Sequence, residues 1–358
     1  MPTMFRVLFL ASLLATLPAQ AAGQTAITDC EPEGPARPIC GFQNPEDLVA
    51  LPGGEAILVS EYGGMEGDVP GSLALLVLDT EERRDLFRGG DADGAEPVWG
   101  DPACPGPPPP AFSPHGIHLS DRDGALQLLA VQHGARESIE FFEVTGEGTD
   151  WDVAWRGCVV APESAWLNSV AALPGGGFVT TRMMTRPPGD EDLLSALQRG
   201  ADPGPGYALE WLPERGFEIL AGSEVGMPNG IETSTDGSLV FVNGGGQVRR
   251  IVRATGETEL SATLGGLDNA RWAPDGRLVI AVIEGEDPGE LAFCFNLESG
   301  ACPIRFRIVA VDPESLETEE LYGNQGAPMG GGTIGLVVGR ELFVGSFAGD
   351  RILRVTLD

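Results

Sequence analysis

The amino-acid sequence predicts an all-β fold, a six-bladed β-propeller, from two observations. One unit recurs six times: a turn rich in Pro, Asp and Gly, then an apolar strand. Its copies start at Leu51 (LPGGEAILVS), Asp121 (DRDGALQLLAV), Leu173 (LPGGGFVTT), Thr235 (TDGSLVFVN), Pro274 (PDGRLVIAV) and Val338 (VGRELFVGS). The other observation is that almost no stretch carries the 3.6-residue apolar period of a long helix. Hairpins at intervals of roughly 40 to 70 residues fit four-stranded blades arranged in a ring. A β-sandwich rarely needs 358 residues or so regular a repeat.

Residues 1–22 carry one Arg, a short apolar run and an A-x-A pattern, which predicts a secretory signal peptide followed by a single propeller domain over 23–358. No later stretch is apolar for the roughly 20 residues that a membrane span requires. Two insertions interrupt the repeat. Residues 95–110 hold four consecutive prolines and predict an extended surface loop. Residues 182–206 enclose the one helical candidate, EDLLSALQR at 191–199, and such insertions tend to be lids or binding loops.

All six cysteines lie beyond the predicted cleavage point, which suits an oxidising compartment. Local spacing suggests Cys30–Cys40 and Cys294–Cys302, leaving Cys104 for Cys158, one choice among 15 connectivities. No CxxC or CxH spacing favours zinc. The formal net charge is −31 and the chain has no lysine, which argues against nucleic acid and anionic membranes as partners and excludes Schiff-base chemistry. Acidity of this degree suits a soluble exported protein.

The three histidines fall in one segment, FSPHGIHLSDRDGALQLLAVQH, as His115, His118 and His133. A turn at 121–124 would pair the flanking strands and bring His115 and His133 to the same end of a hairpin. Two adjacent imidazoles suit proton transfer near neutral pH. The plainer alternative is that each satisfies a local hydrogen bond.

Polar residues precede several repeated strands at a common register. They are Glu46 and Asp47, Asn168, Asn229, and Asp268 with Asn269. Equivalent positions on successive blades face one central channel. Carboxylate and amide oxygens gathered there form a hard-oxygen cage of the type that calcium selects. For any one of these residues a turn or cap role is the simpler reading, but the shared register favours the cage.

With these segments in view, the chain resembles the paraoxonases (arylesterase/lactonases), within the wider group of gluconolactonase-like calcium propellers. The resemblance rests on PEDLVALPGG, SPHGI, LLAVQH with SIEFFEV, LNSVAALPGG, PNGIETSTDG, LDNARWAPDG and GTIGLVVGRELFVGS, in family order along nearly all of the predicted mature chain. It implies a catalytic calcium held by Glu46, Asn168, Asn229, Asp268 and Asn269, and a catalytic pair formed by His115 and His133. It also implies a second calcium on Asp47 and the Ile117 carbonyl, although Ser169 stands where the family has an aspartate. The family's disulfide to the final strand and its retained hydrophobic amino terminus have no counterpart.

The expected activity is calcium-dependent hydrolysis of a small-molecule lactone or aryl ester by an exported enzyme. His115 would take a proton from water and His133 would orient or relay it. No GxSxG elbow suggests a serine nucleophile. The alternatives are a sugar lactonase of gluconolactonase type without the dyad, and a non-catalytic calcium-stabilised binding propeller.

Overall fold

The computed structural model describes residues 24–64, 69–92, 94–187, 195, 202–285 and 288–357. The expected signal peptide at 1–22 lies outside them, as does the helix expected at 191–199 apart from Ser195.

Six antiparallel sheets form the blades expected from the repeat. Their innermost strands are Pro45–Ala50, Pro114–Arg122, Ala165–Ala172, Ile231–Thr233, Gly266–Trp272 and Gly332–Val338. Each repeated turn joins an innermost strand to the second strand of the same blade, which explains the six copies. The blades are numbered here in that order.

Blade two departs from the four-stranded pattern. Within the insertion expected to be an extended loop, Trp99–Gly100 pairs in parallel with the outermost strand Asp150–Val160. Cys104–Cys158 fastens the loop beside it. The other two expected disulfides, Cys30–Cys40 and Cys294–Cys302, are also formed.

The core lies between blades. Apolar clusters fill all six boundaries, from Leu58 and Leu75 against Leu128 and Phe142 between blades one and two, to Phe343 and Ile352 against Ile57 and Leu76 between blades six and one. Second strands are therefore covered on both faces and read as near-continuous apolar runs; every residue of Ala56–Glu61 is buried. Outer strands meet water and are charged, as in Glu257–Leu260.

Blade six is completed from the other end of the chain. Ala36–Cys40 pairs with Arg351–Thr356, Ala36 lying opposite Val355. This closes the ring, so the beginnings of the innermost strands share one end of the channel and their ends share the other. The first is called the upper end here. A short helix, Pro288–Phe295, leads from blade five to its rim. Among the described residues, no helix is long and apolar enough to cross a membrane.

Candidate functional site

The polar residues singled out by register sit where the innermost strands leave regular pairing. Register shifts fall between Pro45 and Asp47, Pro114 and Ile117, Leu167 and Val170, and Leu267 and Ala270. Those intervals contain Glu46, His115, Asn168 and the Asp268–Asn269 pair. A bulge frees a residue from the ladder and redirects its side chain. Asn229 lies two residues before the strand Ile231–Thr233 begins. The glycines of SPHGI and PNGI have a steric reason. A Cβ on Gly116 would lie 2.6 Å from the Asn168 carbonyl oxygen, and one on Gly230 would lie 2.7 Å from that of Asp268. Each glycine lets a neighbouring blade's bulge approach the channel.

Glu46, Asn168, Asn229 and Asp268 line one cavity of about 390 Å³ at the upper end, together with His115. Asn269 Nδ2 donates to Glu46 Oε1 at 2.7 Å. Four buried oxygens there have no hydrogen-bond partner among the described residues: Glu46 Oε2 and the Oδ1 atoms of Asn168, Asn229 and Asn269. Leaving one such atom unsatisfied costs about 1–3 kcal/mol, so four gathered in one place call for a bound positive group. Burial pushes the Asp268 carboxyl well above the usual range, with the neighbouring Glu46 charge adding to the push. Oxygen-only donors, two carboxylates and three amides, fit a hard divalent cation such as calcium. Among the described residues, no three His, Cys, Asp or Glu side chains gather as metal ligands, so the donor set here rests on two carboxylates and the amides.

The hairpin brings the two histidines together as its register predicts. His115 Nδ1 lies 2.8 Å from His133 Nε2. His133 Nδ1 is 3.0 Å from both oxygens of Glu137. Since Glu137 accepts, the assigned tautomers follow: His133 carries its proton on Nδ1, and its Nε2 accepts from His115 Nδ1–H. This leaves His115 Nε2 as a base on the cavity side, 3.4 Å from Glu46 Oε1. Burial opposes protonation of both rings. At His115 the carboxylates of Glu46, Asp47 and Glu137 outweigh it and raise the pKa. At His133 burial prevails over Glu137, and the pKa falls below its ordinary value.

Sequence reasoning missed the support of this pair. Glu137 also accepts from the Leu167 amide at 2.7 Å and from Arg186 at 2.8 Å; against burial, His133 first and then these two partners hold its carboxyl below the usual range. Trp166 stacks on His133 with centroids 4.6 Å apart, and the Arg186 guanidinium covers the same indole at 4.6 Å. Tyr62 packs against His115 at 4.7 Å. Glu137 lies four residues after His133, and only a hairpin drawn in three dimensions brings it back to the ring.

The lower end differs. Asp47 and the Ile117 carbonyl, expected to serve a second calcium, meet there, but a guanidinium binds both. Arg271 Nη2 donates to both Asp47 oxygens and to the Ile117 carbonyl, each at 2.8 Å, and Nη1 donates to Glu232 Oε1 at 3.0 Å. A side-chain cation thus engages the oxygens expected to serve a second ion. Burial pushes the Asp47 carboxyl up to about 6, against the pull of Arg271. His118, the third histidine, is also at this end, with Nε2 at 3.4 Å from Glu232 Oε2 and Nδ1 accepting from the Ala172 amide at 3.3 Å.

No family model matches the sequence, and no curated protein does. The fold is similar to that of several solved propellers. One is a gluconolactonase from Xanthomonas campestris, at 12% identity over 95% of this chain and 99% of that one, with a TM-score of 0.54. Another is a luciferin-regenerating enzyme, at 14% identity over 88% and 92%, with a TM-score of 0.53. A third is a putative gluconolactonase, at 16% identity over 93% and 98%, with a TM-score of 0.51. At these identities the likeness establishes the propeller fold alone.

Proposed function

We propose that the protein is an exported, calcium-dependent hydrolase of lactones with an apolar substituent, and of aryl esters. The observation that carries the reading is the convergence of four unpartnered buried oxygens with a carboxylate-anchored histidine pair on one cavity. Residues 1–22 would be its signal peptide and 23–358 one propeller domain. The three disulfides support export.

Glu46, Asn168, Asn229, Asp268 and Asn269 would hold the calcium. When bound, it supplies Lewis-acid stabilisation of the negative charge that grows on a carbonyl oxygen during ester cleavage. His115 Nε2 takes the proton of a water placed against the carbonyl carbon. His133 receives the hydrogen bond from His115 Nδ1, and Glu137 balances the positive charge that the pair then carries. His115 and His133 are the pair that the resemblance to the paraoxonases implies, and Glu137 is the carboxylate that orients His133 in this chain. The substrate class follows from the cavity wall. Met183, Met184, Met227, Leu291, Phe295 and Phe347 line it above the polar floor. Such a wall suits an alkyl or aryl group and offers few donors to a polyol.

The gluconolactonase neighbours favour a second reading, a sugar lactonase that does not need the dyad. A turnover panel separates the two: an alkyl-substituted γ- or δ-lactone, gluconolactone and phenyl acetate, each in calcium and in excess chelator. The proposal expects the alkyl lactone to be preferred and all turnover to stop in chelator. Preference for gluconolactone would establish the second reading. No hydrolysis of any substrate in calcium would leave a binding propeller.

A further inference from the structure

The lower end of the channel has the ingredients of a second metal site, but a guanidinium already engages its oxygens. Asp47 comes from blade one, the Ile117 carbonyl from blade two, Glu232 from blade four and Arg271 from blade five. All three side chains are buried, Asp47 and Glu232 almost completely. The Asp47 oxygens also accept from the Leu48 amide at 2.8 Å and the Ile117 amide at 2.7 Å. With Arg271 added, both oxygens are engaged, whereas a calcium ion needs six to eight oxygen ligands of its own. These residues do not fit a second divalent ion.

We infer that Arg271 is a built-in cation that ties four blades together at the lower end, in the place of a second metal. A guanidinium suits the task because its planar fork addresses two carboxylates and a carbonyl at once and stays charged when buried. Ser169, uncharged on blade three, removes one acidic donor from this region, and Glu232 on blade four supplies one that faces the arginine. The blades are therefore held at the channel without a divalent ion, and the ring tolerates loss of the upper one.

The test counts ions and measures melting, and neither readout uses turnover, so it stands apart from the hydrolase reading. Calcium-saturated wild-type protein is equilibrated by dialysis and its bound metal is measured. No more than one calcium per chain is expected, and two would overturn the inference. In excess chelator the wild-type protein is expected to keep a cooperative thermal transition, while Arg271→Met melts about 10 °C lower, because removing one partner of a buried ion pair strands the other charge. Arg271→Ser, which opens space beside Asp47, is expected to recover part of that loss on adding calcium and to bind one ion more than wild type. Wild-type protein that unfolds on chelation overturns the inference, as does an Arg271→Met variant that melts with wild type. If neither variant folds, the wild-type ion count and chelator melt decide the matter.

Discussion

The two ends of the channel are built from neighbouring positions on the same strands, yet they treat charge in opposite ways. Glu46 and Asp47 are adjacent in sequence. Glu46 turns to the upper end and keeps an unpartnered oxygen, whereas Asp47 turns to the lower end and has both oxygens engaged by amides and Arg271. Asn269 and Arg271 repeat the contrast two residues apart on blade five: one carries an orphan oxygen, the other a cation bound to both Asp47 oxygens and the Ile117 carbonyl, although its own Nε and the facing Glu232 Oε2 have no hydrogen-bond partner among the described residues. Burial is equal at both ends, so burial does not distinguish a functional site from a structural one here. A resident cation does. The lower end has a guanidinium on both Asp47 oxygens, whereas the upper end gathers orphan oxygens with no side-chain cation on them among the described residues and is poised for a positive ligand.

The largest expected effect tests the upper end directly. Asp268→Ala should lose both calcium binding and lactone turnover, the latter by about 10³-fold or more, while its melting temperature in chelator stays near that of wild type. Metal affinity, turnover and thermal unfolding measure this together. Retained calcium binding would break the contrast, because the lower end would then have to hold the ion.

His115→Gln sharpens the comparison within the upper end. It should reduce turnover about 10²-fold or more, the usual scale of general-base catalysis, and leave calcium affinity unchanged, since the imidazole is proposed as a base and calcium prefers oxygen. Isothermal titration with calcium beside steady-state kinetics resolves the two effects. Full activity in this variant would make the pair structural.

A smaller loss is expected from Glu137→Gln, about tenfold in kcat with KM little changed, because the amide still reaches His133 but no longer balances a charge. The predicted sign distinguishes it from a folding defect: Glu137→Asp, which keeps the carboxylate, should recover part of kcat.

The smallest effect is in stability against pH. The folded protein holds the Glu137 carboxyl below its ordinary value of 4.5. A depressed carboxyl contributes stability that is present above the unfolded value and is lost as pH falls through the folded one. Wild-type protein should therefore lose its stability advantage over Glu137→Gln below about pH 4.5, as read from denaturant midpoints in acid series. An advantage that survives strong acid would assign Glu137's role to packing.

Much of this was legible in the sequence because propellers repeat. The turn before each second strand fixes six hairpins, and the register of polar residues before them marks Glu46, Asn168, Asn229, Asp268 and Asn269 as facing one axis. The histidine hairpin was legible for the same reason, since its turn determines which residues share an end. Arg271 was not. It sits one residue after LDNA in a strand that reads as ordinary, and nothing local shows that its guanidinium meets Asp47, 224 positions away in sequence. Trp99–Gly100 was hidden in another way, because two residues in a Pro-rich loop carry no strand signal until a sheet edge is there to pair with them.

The closing strand of the ring has a kinetic consequence. Ala36–Cys40 finds its partner only when Arg351–Thr356 is available, so a strand pairing between the two ends of the fold is also the one that completes it. None of the three disulfides joins these two strands, and the latch between them is hydrogen-bonded and apolar. Contacts of such sequence separation make folding slow, and a chain emerging amino terminus first must carry its early strand unpaired until the last is made. A chain that crosses a membrane before folding avoids a half-built ring on the wrong side. It also follows that trimming residues 24–40 would leave Arg351–Thr356 as a bare sheet edge, open to pairing with a second molecule.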